Sequence, residues 1–175
     1  MKSTITVFML YLIPASSYAS AVYRNKIYGF AVDIPTALVS CEALAPNPNH
    51  GVTIPLEPGS CEGATDRDRL VVWGEYNVPY EAVTTLQLSK HFCEKSNINR
   101  YRVKGIKASL LWCKVNYGPN YSARLYFVLM PKKTSTPETW IVYNLMTIQT
   151  QKSSRKTLDL ALTIIDTFRS IPVEP

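Results

Sequence analysis

This chain has no apolar run long enough to cross a bilayer as a helix, which takes about 20 such residues; Ile5 to Ile13 is far shorter. It has no C-x-x-C pair, and that excludes the usual redox dithiol and the usual close-spaced zinc knuckle. It has no G-x-S-x-G elbow and no H-E-x-x-H pair. Only two histidines, His50 and His91, are present, with no free-cysteine partner arranged for nucleophilic catalysis. There is no internal repeat, no low-complexity tract and no interdomain linker. Charge of one sign is not dominant either: the formal excess is +6. An excess that small steers anionic partners without marking a nucleic-acid binder.

What is present begins with an address. Met1 and Lys2 give a positive start, Ile5 to Ile13 an apolar stretch and Pro14 its end. Ser17-Tyr18-Ala19, or Ala19-Ser20-Ala21, offers the small-x-small pattern of signal cleavage. Residues 1–19 are expected to be a signal peptide and 20–175 a single domain. Taking the first 19 of 175 residues away leaves 156, one domain by size and enough to bury its own core. With Lys2 gone, 18 basic side chains stand against 13 acidic, a formal +5. No cysteine follows the signal directly to carry a lipid. The expectation is a periplasmic or secreted protein that does not span a membrane.

Export changes the meaning of the four cysteines, because an oxidising compartment favours disulfides. Cys41, Cys61, Cys93 and Cys113 form two equally spaced pairs. Sequence leaves three connectivities open. Cys41–Cys61 and Cys93–Cys113 are expected because they close the smallest loops, each stabilising the fold by about 3 kcal/mol on the chain-entropy model.

Phe30, Val32 and Ile34 alternate with Ala31 and Asp33, so Tyr28 to Pro35 is expected to be a half-buried strand ended by proline. Residues 42–66 concentrate proline and glycine and are expected to be a long loop with one extended piece, Val52-Thr53-Ile54. Arg69 to Asn77 is expected as a strand and Tyr80 to about Lys95 as a helix. Four strands follow, Tyr101–Lys107, Ser109–Tyr117, Ala123–Met130 and Trp140–Ile148, separated by short turns. That arrangement means an antiparallel meander. Leu158, Ala161, Leu162, Ile165 and Phe168 give Ser154 to Ser170 one apolar helical face, with Pro172 beyond. The fold class is α+β: one antiparallel sheet flanked by two helices, stapled by two disulfides.

Tyr28-Gly29-Phe30-x-Val32-x-Ile34-Pro35 at one end and Leu162-x-x-Ile165-x-x-Phe168-Arg169-Ser170 at the other resemble the opening strand and closing helix of PsbP-like domains. The resemblance implies an α/β/α sandwich and an accessory or binding role. The combination of signal, disulfides and compact α+β body also broadly resembles small exported immunity proteins against type VI secretion toxins.

The candidate site residues weigh toward binding. Arg100, Arg102 and Lys104 alternate along one strand and share a face, either as a solvent-facing edge or as a docking stripe for an acidic protein. Tyr76 and Tyr121 lie at element ends, where tyrosine suits interfaces. His50 sits in a turn-rich loop and is the one residue with a chemical case, as a general base. His91 is expected on a helix surface. Asp66-Arg67-Asp68-Arg69 reads as a solvated, self-compensating turn, and Asn120-Tyr121-Ser122 matches a glycosylation tripeptide. No catalytic residue, metal site or cofactor is assigned. The leading expectation is a non-enzymatic protein that binds an acidic protein partner, as an inhibitor or immunity protein. The alternatives are a PsbP-like accessory protein for a small ligand or metal, and a hydrolase using His50.

Overall fold

The structure, a computed structural model, describes residues 19–42, 50–79, 99–102, 109–115, 118–131 and 139–173. Its strands are β1 (Ser20–Asn25), β2 (Phe30–Pro35), β3 (Cys41–Glu42), β4 (Gly51–Pro55), β5 (Arg69–Pro79), β6 (Asn99–Arg102), β7 (Ser109–Val115), β8 (Tyr121–Pro131), β9 (Thr139–Thr150) and β10 (Arg169–Ser170). One α-helix, α1 (Arg155–Ile165), and a 3-10 turn at Ala64–Asp66 complete them. The strands with clear period-two patterns form where alternation places them.

Two sheets form, where the sequence suggested one. A seven-stranded sheet runs β3-β4-β5-β9-β8-β7-β6, and a three-stranded sheet runs β1-β2-β10. Every pairing in both is antiparallel. The split has a local cause. Tyr28 sits in the turn that sends β1 back along β2, and residues 169–170, expected to be helical, instead pair with Ala31 and Phe30. The helix stops early because Thr167 and Phe168 amides reach back only three residues, to Ile164 and Ile165. Thr167 Oγ1 donates to the Ile164 carbonyl and accepts from the Asp33 amide at 2.8 Å, fastening the helix end to β2. Arg169 then pairs with Asp33 at 2.8 Å. At its start, Ser154 caps the helix through its Oγ, which accepts from the Thr157 amide.

Among the described residues there is one α-helix; the helix expected over Tyr80–Lys95 lies outside them, as does His91. The two expected bridges fare likewise. Cys41 and Cys61 are joined, their Cα atoms 5.6 Å apart. Cys113 is fully buried and carries no free thiol, and Cys93 lies outside the described residues.

The core gathers Phe30, Val32 and Ile34 of β2, Val52 and Ile54 of β4, Leu70 and Val72 of β5, and Tyr126, Tyr143 and Leu145 of β8 and β9. Ala161, Ile164, Ile165 and Phe168 close it from the helical side. Phe30, Tyr143 and Phe168 meet as an aromatic triangle with ring centroids 5.2 to 5.9 Å apart. On the opposite face of the large sheet, Cys113, Ala123, Leu125, Val142 and Ile148 are also buried. Both faces therefore carry buried apolar side chains.

The alternating charges at 66–69 are a solvated turn only in their first half, with Asp66 exposed and Arg67 half-buried. Asp68 and Arg69 are buried, each satisfied by backbone. Asp68 Oδ1 accepts from the Thr150 amide at 2.6 Å, and Arg69 donates to the carbonyls of Thr65 and Arg67. The first bond joins the residue before β5 to the end of β9, and the Arg69 bonds hold the turn that leads into β5.

Candidate functional site

The β1–β2 turn organises one end of the molecule. Asn25 is buried, and its Oδ1 accepts from the Tyr28 amide while its carbonyl accepts from the Gly29 amide, both at 2.9 Å. Gly29 takes a left-handed φ of 69°, which favours glycine. A Cβ there would also meet the Ile171 carbonyl at 2.7 Å and Val173 Cγ2 at 2.8 Å, so the chain end lies directly against the turn. Ile171 donates back to the Gly29 carbonyl at 2.8 Å.

This turn aims Tyr28 inward over Gly74, where a Cβ would lie 2.8 Å from the tyrosine Cβ and Cδ1. The Gly74 amide donates to the His50 carbonyl at 3.0 Å, which sets the histidine at the sheet end. The Tyr28 hydroxyl and His50 Nε2 are then 2.8 Å apart, with ring centroids separated by 4.6 Å. Burial raises the Tyr28 phenol above its ordinary value, and the charge of Glu75 adds to the effect. The hydroxyl thus keeps its proton near neutral pH, and the direction of its bond to Nε2 follows the imidazole tautomer. The phenol engages Nε2, one of the two ring nitrogens. The arrangement positions the imidazole ring at the end of the sheet. No three of His, Cys, Asp and Glu converge as metal ligands among the described residues.

Around the turn is a shallow pocket of about 200 Å³. Arg24, Lys26 and Glu42 edge it, and Tyr23 donates its hydroxyl to the Gly51 carbonyl at 3.2 Å across its base. Ile27 stands 52% exposed on the turn and Val173 46% exposed beside Gly29. The Cys41–Cys61 bridge ties this edge through β3, whose Cys41 pairs in register with Thr53 of β4.

The sequence-chosen residues do not form one site. His50 precedes β4, whereas Arg100 and Arg102 lie on β6 at the far edge of the same sheet. Four strands intervene, a separation of roughly 24 Å at normal strand spacing. Arg100 and Arg102 stand opposite Leu111 and Ser109 in register on that edge strand, and Lys104 lies outside the described residues. Tyr76 falls in the register shift between Glu75 and Val78, a bulge in β5. Tyr121 is half-buried, with the Arg69 guanidinium 5.8 Å from its ring centre, so it supports the fold. Trp73 and Asn144 both donate to Glu75 Oε1, at 2.9 and 3.1 Å, on the sheet face opposite Tyr28.

A second concavity went unseen in the sequence. About 540 Å³ opens between the end of β2, the segment after β4 and α1. Leu38, Leu56, Leu160 and Ile164 make its apolar walls, and Asp33 and Thr167 stand on its polar side. Its residues come from four separate segments without a shared motif. The available signal was on the helix, where Leu160/Ile164 and Thr163/Thr167 form adjacent i, i+4 rows, one apolar and one hydroxylic.

No family model matches the chain, and no curated protein matches it. Among solved structures, the chain is similar to the solution structure of cyanobacterial PsbP (CyanoP) from Synechocystis sp. PCC 6803. The TM-score is 0.50 at 11% identity, covering 90% of this chain and 95% of that one. At that identity the likeness concerns the fold alone, and the fold is PsbP-like. The Cys41–Cys61 bridge is compatible with an oxidising compartment. No helix among the described residues is long and apolar enough to cross a membrane.

Proposed function

We propose that the chain is an exported, non-enzymatic protein that docks a protein partner through the β1–β2 turn, with the basic edge strand β6 as a second contact. The observation that carries this reading is the exposure of Ile27 on a turn held from several sides: by Asn25, by the Ile171 amide and by the Tyr28–His50 pair. An apolar tip on a locked backbone loses little conformational entropy on binding. Arg24 and Lys26 flank it against one carboxylate, Glu42, so the rim favours an acidic partner. An apolar centre with a polar rim is the usual anatomy of a protein interface, and that supports the reading. A disulfide-fixed exported scaffold of this kind suits an inhibitor, and an immunity protein against a secreted toxin is the specific form proposed.

The test is capture of a single stoichiometric partner by the mature chain, followed by two variants. Ile27→Asp should weaken that complex at least tenfold while the melting temperature holds. Arg100→Glu with Arg102→Glu should weaken it at low salt and matter less at high salt. A complex indifferent to Ile27→Asp would sink the assignment of the turn.

A further inference from the structure

The groove beside α1 combines a small-molecule volume with apolar walls. Its volume, about 540 Å³, falls in the range of such sites, roughly 300–1,000 Å³. Leu56 and Ile164 are almost fully buried at its base. Leu38 and Leu160 are partly buried against the core and line it as well.

The polar side decides which head group such a space accepts. Asp33 is the one ionisable side chain in the lining, and Arg169 answers it at 2.8 Å. The Thr163 hydroxyl donates to the Asp159 carbonyl at 2.9 Å, and the Thr167 hydroxyl to the Ile164 carbonyl at 2.7 Å. Both threonine donors are therefore spent on carbonyls of α1.

Ser20 is different. It lines the groove in register with Pro35, another lining residue. Cleavage after Ala19 makes its nitrogen the α-ammonium of the mature chain, since an α-amino group is mainly protonated at neutral pH. Only a few covalent bonds separate that nitrogen from any other atom of Ser20, so the charge stands at the groove's edge. A carboxylate placed there exchanges hydration for an opposite charge, whereas an ammonium head meets its own sign.

We infer that the groove of the mature chain binds a single-chain aliphatic carboxylate. Its chain lies along Leu38, Leu56, Leu160 and Ile164, and its head pairs with the Ser20 α-ammonium. Removal of the leader completes the site, because in the precursor the same nitrogen is an uncharged amide. The inference rests on export and cleavage after Ala19, and it is independent of the docking turn.

The experiment begins with the intact mass of the exported, disulfide-bonded chain, which should start at Ser20. Any other start leaves Ser20 without the ammonium and overturns the inference together with the cleavage. Calorimetric titration then compares decanoate, 1-decanol and decylamine, each below its aggregation limit. Saturable one-to-one binding of decanoate is expected, with the other two at least tenfold weaker. Periodate, reduced to iodate, cleaves the Cα–Cβ bond of an N-terminal serine; ammonia and formaldehyde leave, and an uncharged glyoxylyl group remains. That product should bind decanoate no better than 1-decanol, with the melting temperature kept. Ala37 and Thr163 are exposed at the rim, so Ala37→Trp and Thr163→Trp block the mouth without touching the core. Each should weaken decanoate at least tenfold. A chain that starts at Ser20 and shows no saturable decanoate binding, or binding indifferent to both tryptophans, overturns the site alone. Decanoate bound no tighter than 1-decanol or decylamine, or bound equally after periodate, overturns the role of the ammonium. Ile27→Asp should leave decanoate binding unchanged, so the fate of the docking turn is read separately.

Discussion

The Tyr143 hydroxyl donates to the Tyr28 carbonyl at 2.7 Å, and this bond fastens the turn of the small sheet to the middle of the large one. A longer contact, 3.2 Å, reaches the neighbouring Gly29 carbonyl, which Ile171 also satisfies. Tyr143→Phe keeps the ring against Phe30 and Phe168 and removes only the donor. It should cost about 1–2 kcal/mol, because a buried acceptor loses a good partner. Urea denaturation should show a lower midpoint with an unchanged slope.

Gly74 carries the Tyr28 ring. A methyl there would stand 2.8 to 2.9 Å from three ring-side carbons, too close to coexist. Gly74→Ala should displace Tyr28, break its bond to His50 and destabilise the fold by about 1–3 kcal/mol. Gly51→Ala should be worse, since its Cβ would lie 1.9 Å from the rigid Val72 carbonyl. Thermal melts of both, with histidine chemical shifts in Gly74→Ala, check the order and the lost contact.

The Cys41–Cys61 bridge closes a loop of 20 residues. Replacing both cysteines by alanine should cost about 3 kcal/mol on the chain-entropy model. The unreduced protein should take up no alkylating reagent under denaturing conditions. Peptide mapping should recover Cys41 with Cys61 and, as proposed for the other pair, Cys93 with Cys113.

Tyr23, Tyr28 and Tyr126 are all raised above the ordinary tyrosine value of about 10, burial being the main cause for each. A raised value in the folded state means the native protein holds these protons more tightly than the unfolded chain. The stability they contribute is complete below about pH 10 and is lost as pH rises through the higher folded values. Ultraviolet titration should therefore show late-ionising phenols. Tyr28→Phe and Tyr126→Phe should each delete one of them. Titration of all phenols as free tyrosine would contradict this.

Ser20 pairs with Pro35 as the first register position of β1. Cleavage after Ala19 keeps that strand whole, whereas cleavage after Ala21 removes two pairs. N-terminal sequencing of the exported protein should begin at Ser20.

Much of the architecture was legible because alternation is a local signal. Phe30/Val32/Ile34, the runs of β5, β7, β8 and β9, and the Leu158–Phe168 stripe announce themselves. β1 does not: only Tyr23 and Asn25 leave solvent, so no apolar alternation marks it. β3 and β10 are two residues each and exist because a partner strand is there. Missing β10 hid the second sheet. Asp68 and Arg69 misled because charge suggests solvent, while their partners are backbone groups in sequence-distant or irregular segments. His50 was chosen for its chemistry, yet its partner Tyr28 lies 22 residues away, and the groove is assembled from pieces with no common pattern.

β2 sits between β1, made just before it, and β10, made more than 130 residues later. Phe168 seals the same core as Phe30. A chain emerging from its N-terminus thus cannot finish its first-made sheet until its last segment arrives. Contacts between such distant positions make folding slow. The three-stranded sheet therefore closes only once residues 169–170 have been made, and for the exported protein proposed above a chain still open at that stage is the form a translocation channel can thread.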